Sequence, residues 1–155
     1  MSNPINVRRG QRFRLNYFIF NRVTILHLEN IDHPKIVRIR INPSEPFSIF
    51  YIHSVYKELV IEEFQTQNEA IVLTGVRTKS PAVMEYYGFE EMKEFHPMNQ
   101  RLGAFFIVKR GMGEGQGLIV RERKVYLSEI GERGDRIQLS VKSVSLGEYL
   151  LSMVF

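Results

Sequence analysis

The chain has 155 residues, long enough to bury a substantial core, and 44% of them are hydrophobic, with 11 Phe and 7 Tyr. It has no cysteine, which excludes disulfides, thiolate nucleophiles, cysteine-ligated zinc and iron–sulfur clusters. Net charge is +4, and it is unevenly spread: residues 1–40 hold eight basic and two acidic side chains, while the remainder is slightly acidic.

The basic end is led by Arg8, Arg9, Arg12 and Arg14. Residues 1–11 read as a basic arm and 12–155 as a single β domain. Such an arm suits an anionic membrane surface or nucleic acid, or is a solvated terminus. Arg12-Phe13-Arg14-Leu15-Asn16-Tyr17-Phe18 interleaves basic and aromatic side chains, as single-stranded nucleic-acid binders do. Any alternating edge strand looks the same, and the acidic middle (Glu58, Glu62, Glu63, Glu69, Glu85, Glu90, Glu91, Glu94) opposes a phosphate backbone. Leu15 to Phe20 is too short to span a bilayer, which takes about 20 apolar residues. It also lacks the small-residue cleavage site of a signal peptide.

In chain order, Arg12 to Phe20 and Val23 to Leu28 are weak strand signals. Val37-Arg38-Ile39-Arg40-Ile41 alternates apolar and charged, the pattern of a half-buried strand. Asn42 to Pro46 is a turn cluster, and the aromatic, β-branched run Phe47 to His53 is a strand. Leu59 to Gln67 and Ala70 to Thr78 follow, joined by a hairpin loop at Gln67-Asn68-Glu69. Phe89, Met92 and Phe95 or His96 are spaced for one or two helical turns between Gly88 and Pro97. Ala104 to Lys109, Gly117 to Leu127 and Arg136 to Leu146 are further strands, with Gly131 to Asp135 as another hairpin loop. In the last strand Ile137, Leu139, Val141 and Ser143 share one face. These signals predict an all-β antiparallel sandwich or partly open barrel of about seven to nine strands, with one short helix near 89–96.

Few motifs carry chemistry. The glycines of Gly111 to Gly117 invite a phosphate-loop reading, but a strand follows where a helix should, so a hairpin or lid loop fits better. The four histidines form no His-Glu-x-x-His pattern, and no Gly-x-Ser-x-Gly elbow is present. Glu62 and Glu63 are strand neighbours and point to opposite faces.

The richest stretch is Tyr51-Ile52-His53-Ser54-Val55, followed by Val60 to Phe64. If Val55 pairs with Val60, His53 lies opposite Glu62, with Cβ atoms about 4.5–5.5 Å apart. A carboxylate beside an imidazole suits a general base, a metal ligand or a structural ion pair. One residue more or less in the loop would bring Glu63 or Ile61 there instead. His53 and Glu62 are thus the candidate ligands for a divalent metal. Ser80, Glu85, Tyr86 and Tyr87 complete a candidate functional cluster with His53, Ser54, Glu62 and Glu63. The alternative is a loop packing its aromatics against the sandwich edge.

Phe47 to Val55, Glu62-Glu63-Phe64, Ile71-Val72-Leu73, Lys79-Ser80 and Val125 to Ile130 together resemble the family known as domain of unknown function 1850. The resemblance spans residues 36–142, and His-Ser-Val with the following Glu is its most specific part. It implies a small envelope-associated protein on the extracytoplasmic side, encoded near TRAP-type transporters that use a TAXI-class binding protein. The implied partner is a transporter subunit or substrate-binding protein, and no activity follows from it. Two features depart from the family pattern: Pro81-Ala82-Val83-Met84-Glu85 replaces a Gly-Ala-Gly-Pro type loop, and no clear hydrophobic leader is seen.

Three readings follow. The first is a non-enzymatic accessory or binding domain, favoured by the resemblance and by the lack of a catalytic signature. The second is a metal-dependent or hydrolytic site at His53, with Ser54, Glu62 and Glu85. The third is a nucleic-acid or acidic-lipid binder using the N-terminal arginines.

Overall fold

Alternating apolar and polar residues place one side chain in two on each face of an extended chain, and the apolar faces must then find each other. In the computed structural model, which describes residues 20–112 and 115–153, this produces two antiparallel sheets around a shared core. The strands are β1 (Arg22–Asn30), β2 (Lys35–Ile41), β3 (Phe47–Ile52), β4 (Leu59–Gln67), β5 (Ala70–Thr78), β6 (Phe95–Gly103), β7 (Phe105–Lys109), β8 (Gly117–Val120), β9 (Arg123–Tyr126) and β10 (Arg136–Ser145). Helix α1 (Pro81–Tyr86) lies between β5 and β6, a short 3-10 turn (Leu127–Glu129) follows β9, and α2 (Leu146–Leu151) follows β10.

One sheet runs β2-β1-β10-β7 and the other β6-β5-β4-β3-β8-β9. The expected sandwich is therefore present. Leu26, Leu28, Ile39, Ile41, Ile137 and Leu139 of the first sheet are buried against Phe47, Ile49, Val60, Phe64, Ile71 and Leu118 of the second. A stack of rings joins the layers: Phe106 on β7 lies 5.3 Å from Phe64, which lies 5.3 Å from Phe47. The predicted faces of β2 and β10 hold, since Val37, Ile39 and Ile41, like Ile137, Leu139 and Val141, meet the core.

The β4–β5 hairpin closes between Gln67 and Ala70. Asn68 (φ 48°) and Glu69 (φ 60°) are both left-handed, the type I′ geometry whose twist suits a two-residue hairpin. Gly131 to Asp135, in contrast, is not a hairpin. β9 pairs with β8 and β10 with β1 and β7, so this loop carries the chain from one sheet to the other. A polar knot anchors it. Asn30 Nδ2 donates to Asp135 Oδ2 (2.8 Å) and to the Ile130 carbonyl (3.2 Å), while Asn30 Oδ1 accepts from the amides of Asp32 and His33. Asp135 Oδ2 also accepts from the Glu132 amide and meets His33 Nδ1 at 2.9 Å.

The helix lies at 81–86, not near 89–96. Ser80 caps it, its hydroxyl accepting from the Val83 amide, and Pro81 begins it with a φ already suited to helix. Gly88 (φ 74°) ends it in a Schellman arrangement, with Phe89 N bonded to the Met84 carbonyl and Gly88 N to that of Glu85, each at 2.9 Å. The rings that looked like a helical stripe serve separate partners. Phe89 stacks on Tyr87 and His96, and Phe95 lies over Gly75 on the neighbouring strand. Met92 is exposed. Phe95 instead begins β6, an edge strand that tolerates Pro97. The run Gly117 to Leu127 is two strands, broken at Arg121 (φ 56°). With β6 this makes ten strands among the described residues, against about seven to nine expected.

The basic arm, Arg8, Arg9, Arg12 and Arg14 included, and residues 12–19 of the first strand signal lie outside the described residues. Among the described residues, no helix is long and apolar enough to cross a membrane.

Candidate ligand-binding cleft

The β3–β4 loop sets the geometry. Pairing ends at Ile52 with Leu59, and His53 then closes the loop: its amide donates to the Glu58 carbonyl (2.8 Å) and its carbonyl accepts from the Lys57 amide (2.9 Å). Lys57 sits at φ 57° to make the return. His53 is 7% exposed, and its Nδ1 accepts from the backbone amides of Val55 (3.3 Å) and Tyr56 (3.4 Å). An amide can only donate, so Nδ1 carries no proton and the neutral ring carries its proton on Nε2. The ring is stacked on Tyr56 (5.0 Å) and meets Tyr86 edge-on (4.9 Å).

This register overturns the expected pairing of His53 with Glu62. Glu62 lies opposite Ile49, and Tyr51 opposite Val60. The loop is longer than the sequence reading assumed because His53 ends the strand by capping its own turn. Glu62 therefore shares a face with Val60 and with its register partners Ile49 and Val76, all buried in the core.

A carboxylate on that face needs partners. Tyr87 Oη donates to Glu62 Oε1 at 2.9 Å, and Tyr51 Oη lies 3.2 Å from the same oxygen and close against the Tyr87 hydroxyl. Each phenol has one proton, so both are committed inside this triad. Burial pushes the Tyr51 hydroxyl up to about 12, and the Glu62 charge adds to it. Burial and the Tyr51 and Glu62 partners push Tyr87 up as well.

Above the triad opens a cleft of about 830 Å³, which His53, Ser54, Tyr86 and Tyr87 line together with Tyr51, Ile52, Lys57, Gly111, Met112, Gly115 and Gln116. The described residues of the glycine-rich loop that line the site are Gly111, Met112, Gly115 and Gln116, a wall rather than a phosphate cradle. Its ends are tied by Gln116, whose Oε1 accepts from the Gly111 amide (2.9 Å) and whose Nε2 donates to the Lys109 carbonyl (3.4 Å).

Of the residues singled out from the sequence, four line the cleft and Glu62 lies behind two of its tyrosines. Glu63 points to the opposite face and pairs with Arg77 at 3.1 Å. Ser80 is spent as the helix cap, and Glu85 is exposed on α1 and does not line the cleft. Tyr51, Lys57 and Gln116 were missed. Tyr51 was legible, since it stands two residues before His53 on one strand and so shares its face. Lys57 and Gln116 offered no local signal, because they meet only through the fold.

Among the described residues, no group of three His, Asp or Glu side chains is placed to hold a metal ion. Comparison with protein-family models, with curated proteins and with solved structures finds no match.

Proposed function

We propose that this domain is a binding module whose ligand occupies the cleft between the β3–β4 loop, the end of α1 and the glycine-rich loop. The observation that carries the reading is Tyr86. It is 66% exposed, held edge-on to His53, and offers an aromatic surface at a concave site with no core to fill. Exposed Ile52 and Met112 line the same cleft.

Binding is favoured over chemistry because Glu62 is engaged by two phenols and Glu85 does not line the cleft, so no carboxylate among the described lining residues orients His53 or completes a metal site. His53 Nδ1 is held by two amides, and Glu62 by two phenols. The His-Ser pair on which the family resemblance most depends stands at the mouth of the cleft. An accessory role at the envelope would then consist of exchanging a small ligand with a transporter's binding protein.

Thermal unfolding of wild type and Tyr86→Ala against a panel of small molecules tests the proposal. A ligand at 100 times its dissociation constant raises folded-state stability by about 2.7 kcal/mol. Shifts seen in wild type and lost in Tyr86→Ala are expected. A panel in which every shift survives that substitution would remove the cleft from consideration.

A further inference from the structure

The hydrogen-bonding capacity left in the cleft indicates a class of ligand. This step rests on the binding reading above. The phenols of Tyr51 and Tyr87 are committed to Glu62, and both polar atoms of the Gln116 side chain close the glycine-rich loop. His53 Nδ1 is committed to its own turn. What remains is the His53 Nε2–H and the Lys57 ammonium, which only donate, and the hydroxyls of Ser54 and Tyr86, which donate or accept. Among the described residues, Lys57 forms no ion pair and no acidic side chain lines the cleft. The rest of the wall is apolar or aromatic: Ile52, Met112 and the tyrosine rings.

We propose that the cleft selects a small amphiphilic carboxylate, with a planar apolar body lying against Tyr86 and its anionic group on Lys57 and His53 Nε2. A polyhydroxylated sugar gains less, since Lys57 and His53 Nε2 offer it donors alone and Glu62 Oε1 already accepts from two phenols. A nucleoside polyphosphate fits poorly as well, because Lys57 is the one lysine or arginine among the described lining residues and the Gly111 amide already bonds Gln116.

The test is calorimetric titration of the full chain with phenylpropionate, its neutral amide and methyl glucoside, in wild type, Lys57→Met and Tyr86→Ala. Both substitutions replace exposed side chains, so folding is retained. The acid is expected to bind about tenfold more tightly than the amide, equivalent to about 1.4 kcal/mol. Lys57→Met should reduce the acid to the level of the amide and leave the amide unchanged, while Tyr86→Ala should weaken both. Added salt should weaken the acid alone. Equal binding of acid and amide, or binding of the glucoside in their place, overturns the carboxylate assignment and leaves the binding module standing. Failure of all three probes, with no change in the nuclear resonances of cleft residues, overturns both.

Discussion

Tyr87 Oη donates to Glu62 Oε1 at 2.9 Å, joining the end of a helix to a carboxylate on the inner face of a sheet. Without that bond Glu62, set between Ile49 and Val76 in the sheet, is left with the longer contact to Tyr51. Tyr87→Phe should therefore destabilise the fold by about 1–3 kcal/mol, the cost of leaving a half-buried polar group short of a partner. Tyr86→Ala, one residue away and exposed, should change stability by no more than about 0.5 kcal/mol. Denaturant midpoints of the two variants make the comparison, and equal losses would contradict the triad.

The same triad has an alkaline signature. A phenol whose folded-state pKa is raised above 10 contributes stability that is fully present below 10 and lost as pH rises through the folded value. Phenolate absorbance of the native protein should show a component near 12 that Tyr51→Phe removes, with Tyr87 shifted upward as well. A single transition accounting for every tyrosine of the native protein would rule this out.

Two histidines should move stability in opposite directions near neutrality. His33 is raised by its hydrogen bond to Asp135, so its contribution is fully present below 6.5 and is lost as pH rises through the raised folded value. His27 is lowered by burial and by Lys142, so its contribution is present above 6.5 and lost as pH falls through the lowered folded value. Unfolding midpoints across this range should fall less on the alkaline side for His33→Gln, and less on the acid side for His27→Gln, than for wild type. Parallel curves would show that neither group is linked to folding.

Glu69 lies at φ 60° in the second position of a type I′ turn, where glycine carries no steric cost. Glu69→Gly is expected to raise stability by about 0.5–1 kcal/mol, the scale of relieving a left-handed non-glycine residue. Chemical denaturation with an unchanged m-value measures it, and a lower midpoint would contradict the turn assignment.

A Cβ on Gly117 would stand 2.6 Å from the Val125 carbonyl oxygen and 2.7 Å from the Phe50 ring. Backbone cannot swing aside as a side chain can, so Gly117→Ala should cost about 1–3 kcal/mol, in the range of overpacked cores. Phe50→Leu in the same chain should recover only part of that loss, because the carbonyl clash remains. Full recovery would place the strain in the ring alone.

Most of the strands were legible one by one. Leu59 to Gln67 and Ala70 to Thr78 coincide with β4 and β5, because alternation and turn residues are local properties that a few neighbours determine. The helix was misplaced for the opposite reason. The spacing of Phe89, Met92 and Phe95 imitates a helical stripe, while Ser80-Pro81 and Gly88 are stronger boundary signals and were passed over. β6 was invisible because an edge strand needs little apolar patterning and accepts a proline.

The candidate site divides along the same line. His53, Ser54, Tyr86 and Tyr87 stood out by residue type, and they do converge. Their chemistry depends on register, where one residue of slippage exchanges every partner and face. By itself the sequence determined an all-β, cysteine-free chain rich in aromatics, through alternation, turn residues and composition. Tertiary structure alone decided that Glu62 serves two tyrosines rather than His53, and that residues 51–54, 57, 86–87, 111–112 and 115–116 meet in one cleft, because loop length and sheet packing are long-range outcomes that no local window contains.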